Sequence, residues 1–529
     1  MNAPRTYAKK ILLSFLILLA NFLNNCFSSV FAAQIDRTIP EPNNLFNRDL
    51  TQEGLLHIDV SDEKVRRKLE KLNTSKSPGL DEIHAKMLFE LRDYLCKPLG
   101  IIYRASLDRD EIPADWKDAG VTPLFKKGKR SDAQNYRPVS LTSIPCKILE
   151  TIIKEEILIH LDKYSLIKDS QHGFLAGRSC LTNLLEFMED ITEIIDRGNS
   201  VDVIYLDFAK AFDKVSHKCL FKKLECHGIS GNIGKWIENW LTGRRQKVCI
   251  NGIYSDWNNV ISGVPQGSVL GPLLFLIFIN DLDENILCRL KKFADDTKLY
   301  REISSTNDCQ TLQEDLDKLI GWSEEFKMLF NVEKCSVMHL GRQNDKHAYS
   351  MGSSRLKSIT LEKDLGVLFD NSIKFSNQCA VAVRNANRIL GLIRRNILHK
   401  SKDVILRLYK SLVRPHLEYC IQVWSPYLRK DVILLEKVQK RATKMISELR
   451  DLSYEQRLHK LGLISLEKRR IRGDLIQAFK IVKGIDKVKV NKFFTLSVAS
   501  NTRGHKFKFC KTRTRLECDG IILHKEVKN

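Results

Sequence analysis

Three aspartates stand where predicted β-strands end. The β-rich run Val201–Leu206 leads directly into Asp207, and two short β-prone runs are predicted as the arms of a tight hairpin around Asp295 and Asp296. Such carboxylates suit two Mg²⁺ ions roughly 4 Å apart, which would activate an attacking hydroxyl and neutralise a leaving pyrophosphate in nucleotidyl transfer. A lone Asp-Asp pair is usually a solvated turn, so this interpretation depends on the residues around the pair.

The elements that must position these aspartates form a mixed α/β half, which is followed by a helical and basic half. Further strands are predicted at Val121–Phe125, Val248–Ile253 and Asn259–Ile261. Hydrophobic spacing predicts helices over Ser61–Leu72, Glu82–Leu95, Ile144–Leu161, Thr182–Ile195, Val269–Leu282, Val381–Arg395, Asp403–Leu412, Asp431–Ile446 and Leu466–Lys483. The helix from Val269 is expected to be interrupted at Gly271-Pro272.

The sequences around the aspartates form three ordered motifs. They are Val203–Asp213, Ser262–Pro272 and Phe293–Asp296. The spacing is 58 residues from Asp207 to Pro265 and 30 from Pro265 to Asp295. In this order the segments resemble motifs A, B and C of the reverse transcriptases of non-LTR (LINE-type) retrotransposons.

Other segments carry the same resemblance. Asn135–Leu141 and Gln171–Phe174 resemble the family's finger motifs, and Asn331–Cys335 and Asp364–Val367 look like its motif D and primer-grip region. Arg414–Tyr419, with Trp424, is similar to the thumb of the CR1/jockey-like branch. The resemblance covers the chain from about Asn21 to Gly504.

The resemblance implies a mixed α+β fold of the right-hand polymerase type. Residues 1–61 would be an N-terminal apolar segment and linker, and residues 62–199 would be the fingers. The palm would be residues 200–369 with motifs A to E, the helical thumb residues 370–485, and a basic tail residues 486–529.

The family also implies a catalytic role for each residue that matches its motifs. Asp207, Asp295 and Asp296 would hold the metal ions, and the backbone carbonyl of Phe208 would add a ligand. Lys334 would donate a proton to pyrophosphate.

The resemblance also implies a substrate pocket. Lys126 and Arg137 would hold the triphosphate, Phe212 would lie under the sugar, and Gln266 and Gly267 would line the template and nucleotide pocket. Taken singly, Phe212 is typical of a core residue and the two basic residues of solvated charges. The motif context favours the functional role for Phe212 and Arg137 and leaves Lys126 open, because another lysine follows it.

The implied activity is RNA-directed DNA synthesis for retrotransposition. A DNA primer would be extended on an RNA template with deoxynucleoside triphosphates, and Leu365 and Gly366 would be the primer grip. Two Mg²⁺ ions, with Mn²⁺ as an alternative, are the expected cofactors, and no organic cofactor is expected. The alternative is a truncated or co-opted relic that binds nucleic acid without making DNA. Full-length members carry an endonuclease before the polymerase, for which the residues ahead of Asp62 are too few.

Charge independently favours a polyanionic partner. The 529 residues include 86 Lys and Arg against 64 Asp and Glu, a net charge of +22. Nucleic acid is the commonest partner of so basic a chain, although charge alone also fits a soluble basic protein.

The cysteines predict a reducing compartment. None of the 14 cysteines falls in a CxxC pair, and they are scattered through apolar stretches. Cys510, Cys518, His505 and His524 are the sole zinc candidates, but their spacing fits no common finger. Incidental cysteines are therefore favoured.

The N-terminus leaves two interpretations open. Met1–Lys10 is basic, Ile11–Ala20 is apolar, and a signal-peptidase site could follow Ala33. The free cysteines and the charge instead favour an amphipathic or buried helix in a nuclear and cytoplasmic protein. The apolar run is also short for a membrane-spanning helix, so membrane association is not expected.

Overall fold

The computed structural model describes residues 3–31 and 54–495. Its helices are α1 Ala3–Ser28, α2 Asp62–Glu70, α3 Ala85–Glu90, α4 Arg92–Arg109, α5 Ala114–Lys117, α6 Ile144–Lys163, α7 Cys180–Asp196, α8 His217–Cys226, α9 Gly231–Leu241, α10 Gly271–Phe278, α11 Thr306–Glu325, α12 Ser376–Asn396, α13 Lys402–Leu408, α14 Pro415–Glu418, α15 Ile421–Trp424, α16 Arg429–Lys444, α17 Tyr454–Leu461, α18 Leu466–Val482 and α19 Val490–Phe493. Its strands are β1 Asp118–Phe125, β2 Tyr136–Leu141, β3 Ser200–Leu206, β4 Arg244–Ile250, β5 Ile253–Tyr254, β6 Asn258–Val260, β7 Arg289–Phe293, β8 Asp296–Ile303, β9 Ser336–Leu340, β10 Ser350–Met351, β11 Ser354–Arg355, β12 Lys357–Ile359, β13 Leu361–Asp364 and β14 Val367–Asp370. The fold is therefore mixed α and β, as predicted.

The chain divides into two compact units, each made of separate stretches of sequence. The first unit comprises Met1–Gln171, Phe208–Asn285 and Lys318–Phe330. The second unit comprises His172–Asp207, Ile286–Asp317 and Asn331–Asn529.

The first unit is built on a sheet with the strand order β2-β1-β4-β5, and β6 also pairs with β4. β1 is antiparallel to β2 and parallel to β4. α6 begins after Ser143, whose side chain accepts a hydrogen bond from the Cys146 amide, and Pro145 occupies its first turn. Both features favour a helix start, because they suit backbone amides that lack helical partners.

The second unit is built on the sheet β12-β9-β3-β8-β7, in which β3 is central. β3 is antiparallel to both β8 and β9, and all of its residues except Tyr205 are buried. A strand paired on both edges and covered on its faces is expected to be apolar, which explains its run of β-branched and aliphatic residues. The predicted hairpin is confirmed as β7–β8.

Helices complete the second unit. α12 and α16 bury Ala382, Ala386, Leu435 and Val438 in a core that continues to Phe493 of α19. α17 starts with a reciprocal capping box between Ser453 and Gln456, and α18 starts with Ser465 as its N-cap. Residues 486–494, predicted as part of a basic tail, are thus partly integrated into this core.

Three predicted helices differ from the structure. The helix expected over Glu82–Leu95 is two helices, α3 and α4, which meet at Leu91. α4 then continues through Pro98 to Arg109, beyond the predicted end at Leu95. The apolar run from Val269 forms only the short α10 and a 3₁₀ turn at Asn280–Asp283, and α13 ends in a π-helical turn at Tyr409–Val413.

The apolar N-terminus forms the predicted helix, α1, which is only half covered. Leu23 and Phe27 pack against Val121 and Val248 of the first unit's sheet. Toward its start the apolar side chains are exposed, with Leu18 at 68%. The segment Ile11–Ser28 has a mean hydropathy of 1.8 over 18 residues and is long and apolar enough to cross a membrane. The expectation that the apolar run is too short to span a membrane is therefore wrong for the whole helix α1. The length and hydropathy of α1 are equally typical of signal sequences and of core helices in soluble proteins.

The cysteines of the described residues are all free. This agrees with the expectation of unpaired thiols. Cys510, Cys518, His505 and His524 lie outside the described residues.

Candidate active site

The three predicted metal ligands lie at adjacent ends of strands in the second unit. β3 ends at Leu206, which pairs with Thr297 of β8. Continuing this register by one residue places Asp207 beside Asp296, on strands that are about 4.8 Å apart. Phe293 pairs with Asp296, so Asp295 lies in the turn, after Ala294 in a left-handed conformation. The sequence prediction that these carboxylates come together is therefore consistent with the strand register.

The electrostatics of Asp296 also indicate that these carboxylates lie close to one another. The pKa of Asp296 is raised to about 6, chiefly by desolvation of its carboxyl group and then by the negative charges of Asp295, Asp364 and Asp207. The Asp296 residue as a whole is exposed, but the pKa of its carboxyl depends on the groups immediately around that carboxyl. Mutual repulsion of this kind would be relieved by a bound cation.

Lys334 faces Asp207. Its Nζ lies 2.7 Å from Asp207 Oδ2, and the two side chains are 52% and 36% exposed. The Asn331 amide donates to the Asp207 carbonyl at 2.7 Å, and the Lys334 amide donates to the Asn331 carbonyl at 2.9 Å. This turn fixes the lysine next to the carboxylate, and its predicted role as a proton donor stays a prediction.

In residues 3–31 and 54–495, no three His, Cys, Asp or Glu side chains are already arranged to hold a metal ion. Asp207 is instead engaged by Lys334, and the neighbouring negative charges raise the pKa of Asp296. The donor chemistry nevertheless fits Mg²⁺, which takes a few carboxylates and completes its shell with water and substrate phosphates.

A buried ion pair lies close to Asp296. Lys298, two residues further along β8, contacts Asp364 at the end of β13, and the side chains are only 4% and 7% exposed. The Lys298 Nζ also lies 4.2 Å from the centre of the Phe187 ring. Residues i and i+2 of a strand share a face, so Lys298 holds its charge on the side of Asp296. Lys298 was not predicted as a site residue, because a lysine inside a β-prone run carries no sign of burial.

The predicted primer-grip residues form the tip of the β13–β14 hairpin. Leu365 and Gly366 have φ values of 44° and 89°, as a type I′ turn requires. The Tyr419 hydroxyl donates to the Leu365 carbonyl at 2.8 Å. A Cβ at Gly366 would lie 3.2 Å from the Tyr419 ring. The tip is thus held in a fixed shape.

In the first unit, the loop that follows Ser262 packs against residues 212–213. Gln266 Nε2 donates to Asp213 Oδ1 at 3.1 Å, and the Ser140 amide donates to the Gln266 carbonyl at 2.7 Å. A Cβ at Gly267 would lie 2.4 Å from the Ser140 carbonyl oxygen. Glycine is therefore required at position 267, for close backbone approach as well as for its φ of 120°.

Asp213 connects the predicted pocket residues. Burial raises its pKa, whereas the hydrogen bond from Gln266 and the charges of Lys210 and Arg137 lower it. Asp213 was not predicted as a site residue, although it is the last residue of the first motif. Lys126 and Arg137 are exposed and project from the same face of the β1–β2 hairpin, because Leu124 pairs with Arg137.

The two phenylalanines of the first motif have different surroundings. Phe212 is half-buried and stacks on Phe275 with ring centres 4.6 Å apart. Phe208 is buried and stacks on Phe330 at 4.3 Å. Phe212 therefore keeps one part of its ring accessible, whereas Phe208 is part of the core.

Comparison with known proteins agrees with these motifs. The family model described as "Reverse transcriptase (RNA-dependent DNA polymerase)" matches residues 125–379. The chain is 27% identical over 427 residues to the RNA-directed DNA polymerase from mobile element jockey of Drosophila melanogaster, covering 76% of this chain and 46% of that protein. It is 28% identical over 425 residues to the Drosophila funebris counterpart, with 76% and 46% covered.

A third relative is the probable RNA-directed DNA polymerase from transposon BS of Drosophila melanogaster. It is 26% identical over 409 residues, covering 73% of this chain and 44% of that protein. The chain thus spans slightly less than half the length of the curated relatives it matches. The motif order, the strand register that joins the aspartates and these similarities lead to one conclusion: residues 125–379 match the reverse transcriptase family, and the chain is similar to the RNA-directed DNA polymerases of jockey-like mobile elements.

Proposed function

We propose that this protein is an RNA-directed DNA polymerase that extends a DNA primer on an RNA template. The observation that carries the proposal is the register of β3 against β8, which places Asp207 beside Asp296 at the end of the central strand. Its support is the family model over residues 125–379, whose description is this activity. In this proposal the second unit's sheet is the palm, the β1–β2 hairpin belongs to the fingers, and α12–α18 form the thumb.

The three carboxylates and Lys334 would have different roles at the reacting phosphates. Asp207, Asp295 and Asp296 would hold two Mg²⁺ ions, which when bound activate the attacking hydroxyl and stabilise the leaving pyrophosphate. Lys334, now 2.7 Å from Asp207, would exchange this carboxylate for a phosphate oxygen when the metal site fills. It would then be placed to give a proton to the leaving group.

The first unit would bind the rest of the nucleotide. Arg137 and Lys126 would contact the triphosphate, since they project from one face of their hairpin. Phe212 would lie against the sugar, and the Gln266–Gly267 backbone would line the template pocket. Asp213 would orient the Gln266 side chain through their 3.1 Å hydrogen bond.

The test is primer extension by the purified full chain on an RNA template with Mg²⁺ and deoxynucleotides. Asp295→Asn should lower extension by at least about 100-fold while RNA–DNA binding changes less than about twofold, because only metal binding is lost. The Asp207→Asn/Asp295→Asn double variant should be little worse than either single one. Asp451→Asn, at an exposed loop carboxylate, is the matched control.

Retention of a tenth of the wild-type rate in Asp295→Asn would contradict the assigned site. A wild-type protein that binds the hybrid but does not extend it would instead be the nucleic-acid-binding relic.

A further inference from the structure

Glu150 is a buried carboxylate of the first unit that faces the start of another helix. It lies in α6 and is 0% exposed. Its Oε2 accepts hydrogen bonds from the backbone amides of Val269 and Leu270, at 2.6 and 3.1 Å. These two amides lie directly ahead of α10, which begins at Gly271. A side chain more than 100 residues earlier in the chain therefore caps this helix.

Ser268 supplies the local part of this cap. Its hydroxyl accepts a hydrogen bond from the Gly271 amide at 3.0 Å and donates to the Pro265 carbonyl at 2.9 Å. Leu270 occupies the N-cap position and makes no side-chain hydrogen bond there. Amides at a helix start have no partner within the helix, and a buried amide without an acceptor is destabilising. Glu150 provides the acceptor for the two amides that precede Gly271.

The helix that Glu150 caps supports the side chain of Phe212. Phe275, in α10, is 0% exposed and stacks on Phe212 with ring centres 4.6 Å apart and an angle of 14° between the rings. The Val264 amide also donates to the Phe212 carbonyl at 2.8 Å. The position of α10 and of the loop before it therefore determines where the Phe212 ring lies.

The same cap holds one end of the loop that contains Gln266 and Gly267. The Ser140 amide and the Asp213 side chain hold these two residues in place, and Val269 follows Gly267 by two positions. Loss of the bonds to Glu150 would therefore release the loop on the side of α10.

We propose that Glu150 is a positioning residue for nucleotide selection, because it holds the start of α10 so that Phe275 supports Phe212 against the incoming sugar. The inference rests on the proposed function for the role of Phe212, whereas the cap itself rests on the hydrogen bonds. A small displacement of the ring would make room for a 2′-hydroxyl, and discrimination by exclusion depends on such exact placement.

The alternative is that the charge of Glu150 acts on a buried neighbour, Arg244. Burial lowers the pKa of Arg244, whereas the negative charges of Cys146, Glu150 and Asp118 raise it. A cap requires an acceptor oxygen at the right place, but compensation of Arg244 requires a negative charge. Glu150→Gln keeps the acceptor at full reach without the charge. Glu150→Asp keeps the charge but shortens the side chain by one methylene group.

Steady-state primer extension by the full chain measures kcat/KM for deoxynucleotides and ribonucleotides. Glu150→Asp should lower the preference for deoxynucleotides about 10-fold and raise their KM more than it lowers kcat, because the Phe212 ring is displaced. Glu150→Gln should keep the preference within about threefold of the wild type. Ile157→Ala, at a buried position two turns further along α6, is the matched control. It should lower stability through a cavity without changing the preference.

Hydrogen exchange of the amides in residues 262–275, measured without substrate, tests the cap independently of activity. Exchange at Val269 and Leu270 should be at least about 10-fold faster in Glu150→Asp and within about threefold of the wild type in Glu150→Gln. An unchanged preference in Glu150→Asp would overturn the proposal, even with faster exchange. A preference lost in Glu150→Gln but kept in Glu150→Asp would overturn it in favour of the charge. Failure of the polymerase proposal looks different, since the wild type would not extend a primer while the two variants still differed in exchange.

Discussion

At the scale of single residues, Asp296 connects the fold to the chemistry. Its carboxyl is surrounded by the charges of Asp295, Asp364 and Asp207, which raise its pKa after the larger effect of desolvation. Such a group destabilises the folded protein when it is ionised and no cation is bound. Functional sites commonly carry a stability penalty of this kind.

This penalty predicts a pH-dependent gain in stability for Asp296→Asn. The pKa is about 6 in the folded protein against an ordinary 3.8, so the stability that protonation provides is present below about pH 3.8 and is lost as the pH rises through about 6. In the presence of EDTA, Asp296→Asn should raise the Tm at pH 8 by about 2 °C, and by less at pH 5. Thermal unfolding at the two pH values checks this. A lower Tm of the variant at pH 8 would mean that the ionised carboxylate is stabilised by a partner.

Phe212 is expected to exclude ribonucleotides. A phenyl ring against the sugar leaves no room for a 2′-hydroxyl and offers it no hydrogen bond, which rejects the ribose more strongly than a loose pocket does. Phe212→Val should raise the relative kcat/KM for ribonucleotides by on the order of 100-fold, or about 2.7 kcal/mol of lost discrimination.

Steady-state kinetics with both nucleotide types measures this ratio. Phe208→Val is the matched control, because Phe208 is buried against Phe330 and should lower both rates together. Equal losses in Phe212→Val would assign Phe212 to the core as well, through its stacking on Phe275.

At the scale of secondary-structure elements, the sequence predicted those strands and helices whose pattern is set by neighbouring residues. The β7–β8 hairpin, β3 and α7 were predicted because alternation, helical spacing and turn residues are properties of neighbouring residues. β9 was not predicted, although it pairs with the central strand, because Ser336–Leu340 is a short apolar run without a distinctive period.

The supporting side chains of the site escaped prediction for a different reason. Lys298 and Asp364 are 66 residues apart, and neither signals the other in sequence. Burial and pairing of charges are consequences of tertiary contacts, so these two side chains could not be predicted from the chain alone, whereas residues inside the recognised motifs could be proposed as site residues.

The Lys298–Asp364 ion pair should strongly stabilise the packing of β8 against the β13–β14 hairpin. Lys298→Met should lower the free energy of unfolding by about 3–5 kcal/mol, because it leaves the Asp364 charge buried and alone. Lys298→Met/Asp364→Leu should recover most of this loss. Arg197→Met is the matched control, since Arg197 pairs with Glu302 of the same strand at 50% and 30% exposure and should cost under about 1 kcal/mol.

Denaturant unfolding of the four proteins measures these differences. A loss in Lys298→Met as small as that in Arg197→Met would show that Asp364 finds water or another donor when the lysine is removed.

At the scale of the whole molecule, an excess of 22 positive charges must be distributed over its surface. Part of it lies on two helices of the second unit that pack together through alanine and aliphatic residues, α12 and α16. Their basic residues are exposed, at Arg384, Arg388, Arg394, Arg395, Lys437, Lys440, Arg441 and Lys444. A solvated charged face is the alternative to a binding surface, and salt dependence separates the two.

We predict that α16 contacts the phosphates of the template–primer duplex. Neutralising Lys440, Arg441 and Lys444 to Gln should make the slope of log affinity against log salt shallower by about 2 to 3, because each phosphate contact contributes about 0.9 in a B-form duplex. The matched control neutralises Arg66, Arg67 and Lys68 of α2. It removes the same charge, but these residues are already paired with Asp93, Glu63 and Glu155. Affinity for an RNA–DNA hybrid, titrated at several salt concentrations, gives both slopes. If the two triple variants shift the slope equally, net charge rather than contact by α16 governs binding.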